Sequence, residues 1–247
     1  ESFLTLLTRY RRKEPLDGLI ISVSTAKLLE GDKEQLKEYG LSLRSRIDEL
    51  MRSMGARFPV YVLVTKLDLI FGFDALMQLL NQQDAQQAMG YALNSSDQDP
   101  SEIAAKALEH VAQRLRQLRL PLLSRAENPQ TAAITFPREI SALGPALSAF
   151  MQGCFAKTPY TESLFLRGIY FSSGKQEGQV QSSLMPKTEL FQEKQSIAIP
   201  RSEKGFFLTD LFGSILPRDR GIFRPLKEFL QWRVLTRNLV LISWLLL

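Results

Sequence analysis

Only one cysteine, Cys154, and one histidine, His110, occur among the 247 residues. A single thiol excludes an intrachain disulfide, and the two residues together cannot build a His/Cys zinc cluster. They also make a poor nucleophile pair, since they fall in separate helical stretches and no carboxylate is placed to orient the histidine. Nowhere does Gly-x-x-x-x-Gly-Lys-Ser/Thr occur, and no Asp-x-x-Gly stands before the first strand. The backbone cradle for phosphates and the magnesium ligands are therefore missing from these residues, and the chain alone is not expected to hydrolyse a nucleotide by that route. Aromatic residues make up 9% and do not interleave with the basic ones, which argues against a single-stranded nucleic-acid platform. Long apolar runs are scarce as well. The first residues do not read as a signal peptide, because Arg9, Arg11, Arg12 and Lys13 follow a very short apolar run rather than preceding a long one.

What is present is a globular composition. A 45% hydrophobic content supports one sizeable core, or one core with a smaller helical subdomain. Lysine and arginine number 31 against 26 acidic residues, a net charge of +5 that suits anionic surfaces without specifying one. Residues 239–247, Leu-Val-Leu-Ile-Ser-Trp-Leu-Leu-Leu, are too few to span a bilayer, which takes about 20 apolar residues. They read as the start of a transmembrane helix; an apolar helix docked in a soluble core is the alternative. Arg224, Lys227, Arg233 and Arg237 precede this run, with only Asp219 and Glu228 opposing them, so the positive-inside tendency would keep the preceding domain in the cytoplasm.

Gly18 to Ser24 is a short, β-branched apolar run of the kind buried on both faces of a parallel sheet. A helix is expected from Lys33 to Met54, with Gly55 placed to end it, and Pro59 to Val64 reads as a second buried strand. Strand, helix, strand in this spacing predicts a βαβ crossover and a parallel sheet. From Gly72 to about Lys157 the pattern is helical, broken by a loop at 94–100. Asp99-Pro100-Ser101-Glu102 is a helix start, and a further helix is expected from Arg138 to Phe155 after a Phe136-Pro137 turn. Leu164 to Phe171 returns as a third buried strand. Residues 172–200 read as a loop, either a docking segment that orders on a partner or plain solvent-exposed slack, and Phe206 to Leu216 and Pro225 to Arg237 read as two last helices. Arg114, Arg116, Arg119 and Arg125 form a basic stretch, more economically a solvated helix face than a site for acidic partners or lipid headgroups.

The second strand ends in Thr65-Lys66-Leu67-Asp68, and the third in Ser172-Ser173-Gly174-Lys175. The first resembles the Asn/Thr-Lys-x-Asp motif with which GTPases read guanine: the aspartate accepts two hydrogen bonds from the base edge and the lysine stem covers the ring. The second stands where such domains place a Ser-Ala-Lys-like loop. The order of the three strand ends resembles the second half of a Ras-like GTPase domain. Thr65, Lys66, Asp68, Ser172, Ser173 and Lys175 are thus candidate nucleotide-binding residues, vestigial or active. A strand-to-helix turn capped by an aspartate is the alternative for the first three.

Phe3 to Arg11, Pro15 to Gly18, Pro59 to Ile70, Phe136-Pro137 and Leu166 to Gly178, in that order, make the chain similar to the cytoplasmic region of the IcmF/TssM family. That resemblance implies an α/β fold of the P-loop-NTPase type, with a GTPase-like part at 1–71 and an inserted helical subdomain at 72–160. A returning strand and loop at 161–204, C-terminal helices at 205–238 and the start of a membrane helix at 239–247 would follow. It also implies a place on the cytoplasmic side of the bacterial inner membrane, as an assembly component of a type VI secretion complex. The implied partners are a TssL-like inner-membrane protein, baseplate components, further copies of the protein, and a TssJ-like lipoprotein through a periplasmic part absent from these residues. The alternative is an active GTPase or ATPase, binding GTP or ATP with magnesium, whose phosphate loop lies upstream of Glu1.

Overall fold

The structure, a computed structural model, describes residues 16–93, 98–125, 132–157, 163–174 and 205–220, with residues 6, 10, 181, 222, 224 and 225 in addition. Strand β1 (Leu19–Ser24) leads into a one-turn-and-a-half helix α1 (Thr25–Glu30) and then into α2 (Lys33–Met54). Asp32 caps α2 by accepting a hydrogen bond from the Gln35 amide at 2.8 Å. Gly55 ends it in the left-handed region, at φ 64°, and returns its N–H to the Met51 and Arg52 carbonyls. A side chain would be strained at that φ, so glycine is the residue that lets the chain turn back. The short β2 (Ala56–Arg57) and the central β3 (Pro59–Thr65) follow.

Four strands form one sheet in the order β1, β3, β5, β4. β1, β3 and β5 (Phe165–Phe171) run parallel, whereas β4 (Met89–Ala92) pairs antiparallel with β5 at the edge. The sheet is therefore mixed rather than wholly parallel, and β4 falls inside the stretch whose pattern reads as helical. Four residues are too few to show a strand period, and the glycine at its centre removes a side chain that the pattern would need. A Cβ on Gly90 would lie 2.5 Å from the Ile169 carbonyl, so the close pairing with β5 depends on its absence.

Between β3 and β5 the chain forms α3 (Phe73–Met77), α4 (Gln82–Gln86), α5 (Pro100–Arg125), α6 (Ala132–Ser141) and α7 (Gly144–Phe155). Asp99 caps α5 through the Ser101 amide at 2.8 Å. The single helix expected over 138–155 is two helices. Pro145 has no N–H to continue the α6 ladder, so the chain turns at 142–143 and restarts with proline in the first turn of α7. Phe136 and Pro137 lie within α6, not in a turn ahead of it.

Alternation along β3 sorts the core into two layers. Val60, Val62 and Val64 point to the main core, where they meet Leu36, Ile47 and Met51 of α2, Leu108 and Val111 of α5, and Leu147, Phe150 and Met151 of α7. Tyr61 and Leu63 point to the other face and pack with Tyr170 and with Leu211 of the segment 205–220. That segment lies across the second face as a strap whose helix, over 209–218, contains a π turn at Leu211–Ile215. Beyond it, β6 (Arg224–Pro225) pairs antiparallel with β2.

Among the described residues no helix is long and apolar enough to cross a membrane. The apolar run at 239–247, nearly all of the loop at 172–200 and the helix read from Pro225 to Arg237, beyond Pro225 itself, lie outside the described residues.

Candidate functional site

Parallel β strands present their carboxyl ends on one edge of the sheet, the edge where ligands of open α/β folds gather. Here β1, β3 and β5 end there side by side, in the segments Ser24-Thr25, Thr65-Lys66-Leu67-Asp68 and Ser172-Ser173-Gly174. Short bonds tie the three ends together. The Thr25 hydroxyl donates to the Thr65 carbonyl at 2.8 Å, the Ser172 amide to the Val64 carbonyl at 2.8 Å, and the Leu67 amide to the Ser172 carbonyl at 3.3 Å.

After β3 the chain turns through Lys66 at φ 60°, left-handed without being glycine, into a 3-10 turn at Leu67–Leu69. That conformation costs energy in a lysine and persists only where the surroundings hold it. It leaves Lys66 exposed and buries Asp68 to 1% exposure. The Ser173 hydroxyl, itself fully buried, donates a short hydrogen bond to Asp68 Oδ1. Asp68 Oδ2 is equally buried and has no hydrogen-bond partner among the described residues. A buried acceptor left without a donor is destabilising, so this oxygen stands out among the polar atoms of the described residues. Asp74, a turn further on at the start of α3, has its carboxyl pushed up to about 6 by burial and by the Asp68 charge.

Five of the six residues singled out in the sequence thus converge, and Lys175 lies outside the described residues. Thr65 and Ser172 serve through their backbone as links between strand ends; Asp68 and Ser173 form a side-chain pair; Lys66 is exposed at the rim. Gln181 clips onto the same loop, its amide donating to the Leu69 carbonyl at 2.7 Å and its carbonyl accepting from the Phe71 amide at 3.0 Å. Beside the end of β1 an open hollow of about 390 Å3 is lined by Ser24, Lys27, Gly31 and Gln35 among others. The other residues weighed in the sequence stand apart: Cys154 is fully buried in the α2 and α7 contact, while His110 is exposed with its ring 5.5 Å from that of Tyr91.

A second polar cluster gave no signal in the sequence. β5 bulges at Arg167, where Val60 pairs with Leu166 but Tyr61 with Gly168. The extra residue meets Asp219 of the strap, with Nε and Nη2 at 2.7 and 2.9 Å from its two oxygens, and Nη1 donates to the Leu93 carbonyl at 2.9 Å. The Tyr61 hydroxyl donates to the same carboxylate at 2.5 Å. Arg167's hydrogen bonds hold the Asp219 carboxyl below its ordinary range, while burial and the bond to Asp219 push the Tyr61 phenol well above its own. The three residues are spread over 158 positions of sequence, and only the fold brings them together.

The family model described as IcmF-related N-terminal domain matches residues 1–244. The chain is also 31% identical over 229 residues to the protein named type VI secretion system component TssM1 of Pseudomonas aeruginosa. That alignment covers 89% of this chain but only 21% of the relative, so the chain spans about a fifth of the relative's length. No solved structure matches the chain significantly. A family-model match along nearly its whole length, together with this identity, means that the chain belongs to the IcmF/TssM family.

Proposed function

We propose that this chain is an assembly module of a type VI secretion membrane complex, standing on the cytoplasmic side of the bacterial inner membrane and linking it to the baseplate. The observation that carries the reading is the similarity to TssM1 over nine-tenths of the chain. The partners are then a TssL-like membrane protein, baseplate components and further copies of the protein. In a secreting strain whose full-length protein carries Asp68→Ala, this reading expects normal secretion and normal recovery of the membrane complex. Loss of secretion by a folded, membrane-complexed Asp68→Ala protein would transfer the function to nucleotide chemistry.

A second reading is favoured by one specific observation, the buried Oδ2 of Asp68, without a hydrogen-bond partner among the described residues, beside an Oδ1 oriented by Ser173. A guanine edge offers N–H donors to such a carboxylate, and the exposed Lys66 stem stands where it can cover the ring. The sheet order β1, β3, β5 is that expected of the second half of a Ras-like domain. Asp68 is 1% exposed, so a base reaches it only if the cover formed by the neighbouring loops shifts. These residues would hold the base of GTP and orient it; phosphate and magnesium contacts would come from elsewhere. Titration of the full-length protein with labelled GDP and ADP tests this. Saturable guanine binding that Asp68→Ala abolishes supports it, and equal or absent binding of both refutes it.

A further inference from the structure

Two non-glycine residues with positive φ occur among the described residues, Lys66 at 60° and Phe207 at 65°. They are distant in sequence but stand at the two ends of one chain of bonds. From Lys66 the turn passes to Leu67, whose amide donates to the Ser172 carbonyl at 3.3 Å, and to Asp68, which accepts from the Ser173 hydroxyl. The Ser173 carbonyl accepts from the Phe206 amide at 2.8 Å, and Phe206 leads directly into Phe207 and the strap. Phe206 also sets its ring edge-on to Phe73, with centroids 5.6 Å apart, so the strap is wedged against the helix that follows the Asp68 turn. Bulky residues rarely adopt positive φ, and where they do the surrounding structure imposes it.

At its other end the strap is held by a different lock, the Arg167 fork and the Tyr61 hydroxyl on Asp219. Between the two holds lies the π turn at Leu211–Ile215, a helical irregularity common at functional sites. One segment is therefore fixed at the strand carboxyl ends by the Asp68 and Ser173 loops, at the opposite end of β5 by an ion pair, and carries strained geometry in between. We propose that residues 205–220 act as a conformational relay, in which loosening either the Asp68–Ser173 end or the Arg167–Asp219 end loosens the other. The relay does not depend on nucleotide being the ligand at Asp68; any partner that moves Ser173 would be registered at Asp219.

Amide hydrogen exchange on the full chain tests this, with the Val62 amide in the central strand as the reference for global opening. Ser173→Ala removes the hydroxyl bond to Asp68 and is read at the far end, at the Asp219 and Ile222 amides. Asp219→Asn weakens the lower lock and is read at the Leu67, Ser172 and Phe206 amides. The relay predicts about tenfold faster exchange at the far end in each case, of similar size in both directions because coupling is reciprocal, with Val62 unchanged. Faster exchange confined to the mutated end overturns the proposal, as does acceleration that Val62 shares. Should Asp219→Asn fail to fold, Arg167→Lys weakens the same lock more gently and is read at the same amides.

Discussion

Two glycines bring α2 and α7 into close contact, and adding one methyl group there sets two known effects against each other. Gly153 of α7 lies against α2 so closely that a Cβ would stand 2.1 Å from the Lys37 carbonyl oxygen and 3.1 Å from the Gly40 Cα. From the other side, a Cβ on Gly40 would meet the Phe150 carbonyl oxygen at 2.5 Å and the Cys154 nitrogen at 2.8 Å. These are backbone atoms, so no flexible side chain can swing aside. Helix propensity alone favours alanine in a helix interior by about 1 kcal/mol. Against that, atoms in contact sit about 3.5 Å apart, so relief at Gly153 requires the helices to separate by more than about 1 Å. Separation loosens Leu36, Ile47, Phe150 and Met151, all buried where α2 and α7 face the sheet. Overpacking of this kind costs about 1–3 kcal/mol before any loss of neighbouring contacts, so the net expectation for Gly153→Ala is a destabilisation of about 2 kcal/mol. Urea unfolding followed by circular dichroism at pH 7 measures it. A variant as stable as the parent, with an unchanged denaturant slope, would refute the close-packed α2 and α7 contact and leave propensity in charge.

Three further outcomes follow from the same geometry. Arg167→Met leaves the Asp219 carboxylate buried with Tyr61 as its remaining donor, and should cost about 3 kcal/mol in urea unfolding at pH 7; a loss below about 0.5 kcal/mol would show the pair to be ornamental. Asp74 binds its proton more tightly in the folded state, with its carboxyl pushed up to about 6, so its ionisation opposes folding and its contribution to stability falls as pH rises from about 4 through 6. Asp74→Asn should therefore stabilise by about 1 kcal/mol at pH 7.5, allowing for partial solvent screening, with no gain at pH 3.5; a gain that is the same at both pH values would refute that assignment. The Cys154 thiol, fully buried and pushed up to about 12 by that burial, should resist a disulfide-exchange reagent in the native protein at pH 8 and react fully in urea, which stoichiometric native labelling would contradict.

The strands that lie in the middle of the sheet were legible in sequence because burial on both faces leaves an uninterrupted apolar run, as in Pro59 to Val64. Helix ends were legible where a specific cap marks them, Asp32 and Gly55 for α2 and Asp99 for α5. β4 was not, since four residues around Gly90, three half-buried and Ala92 exposed, carry no period, and α1 was hidden because its single apolar stripe runs straight on from β1. The break before α7 is marked in sequence only by Pro145, against an apolar spacing that continues across it. At the candidate site the residue types could be read, but their roles could not: nothing in Thr-Lys-Leu-Asp tells that Asp68 is buried, or that Ser173 supplies its hydrogen bond. The Arg167, Tyr61 and Asp219 cluster left no local trace, because its members join only through a strand bulge and a strap that crosses the sheet.

Isolation of the membrane complex from cells tests whether this region joins it to the cytoplasmic baseplate, as proposed above. Full-length protein, with or without residues 16–225, would be purified from detergent-solubilised membranes and the accompanying baseplate proteins quantified. Baseplate proteins should be recovered with the complete protein and lost when these residues are removed, while the membrane partners still co-purify. Equal recovery of baseplate proteins with and without the region would contradict that proposal.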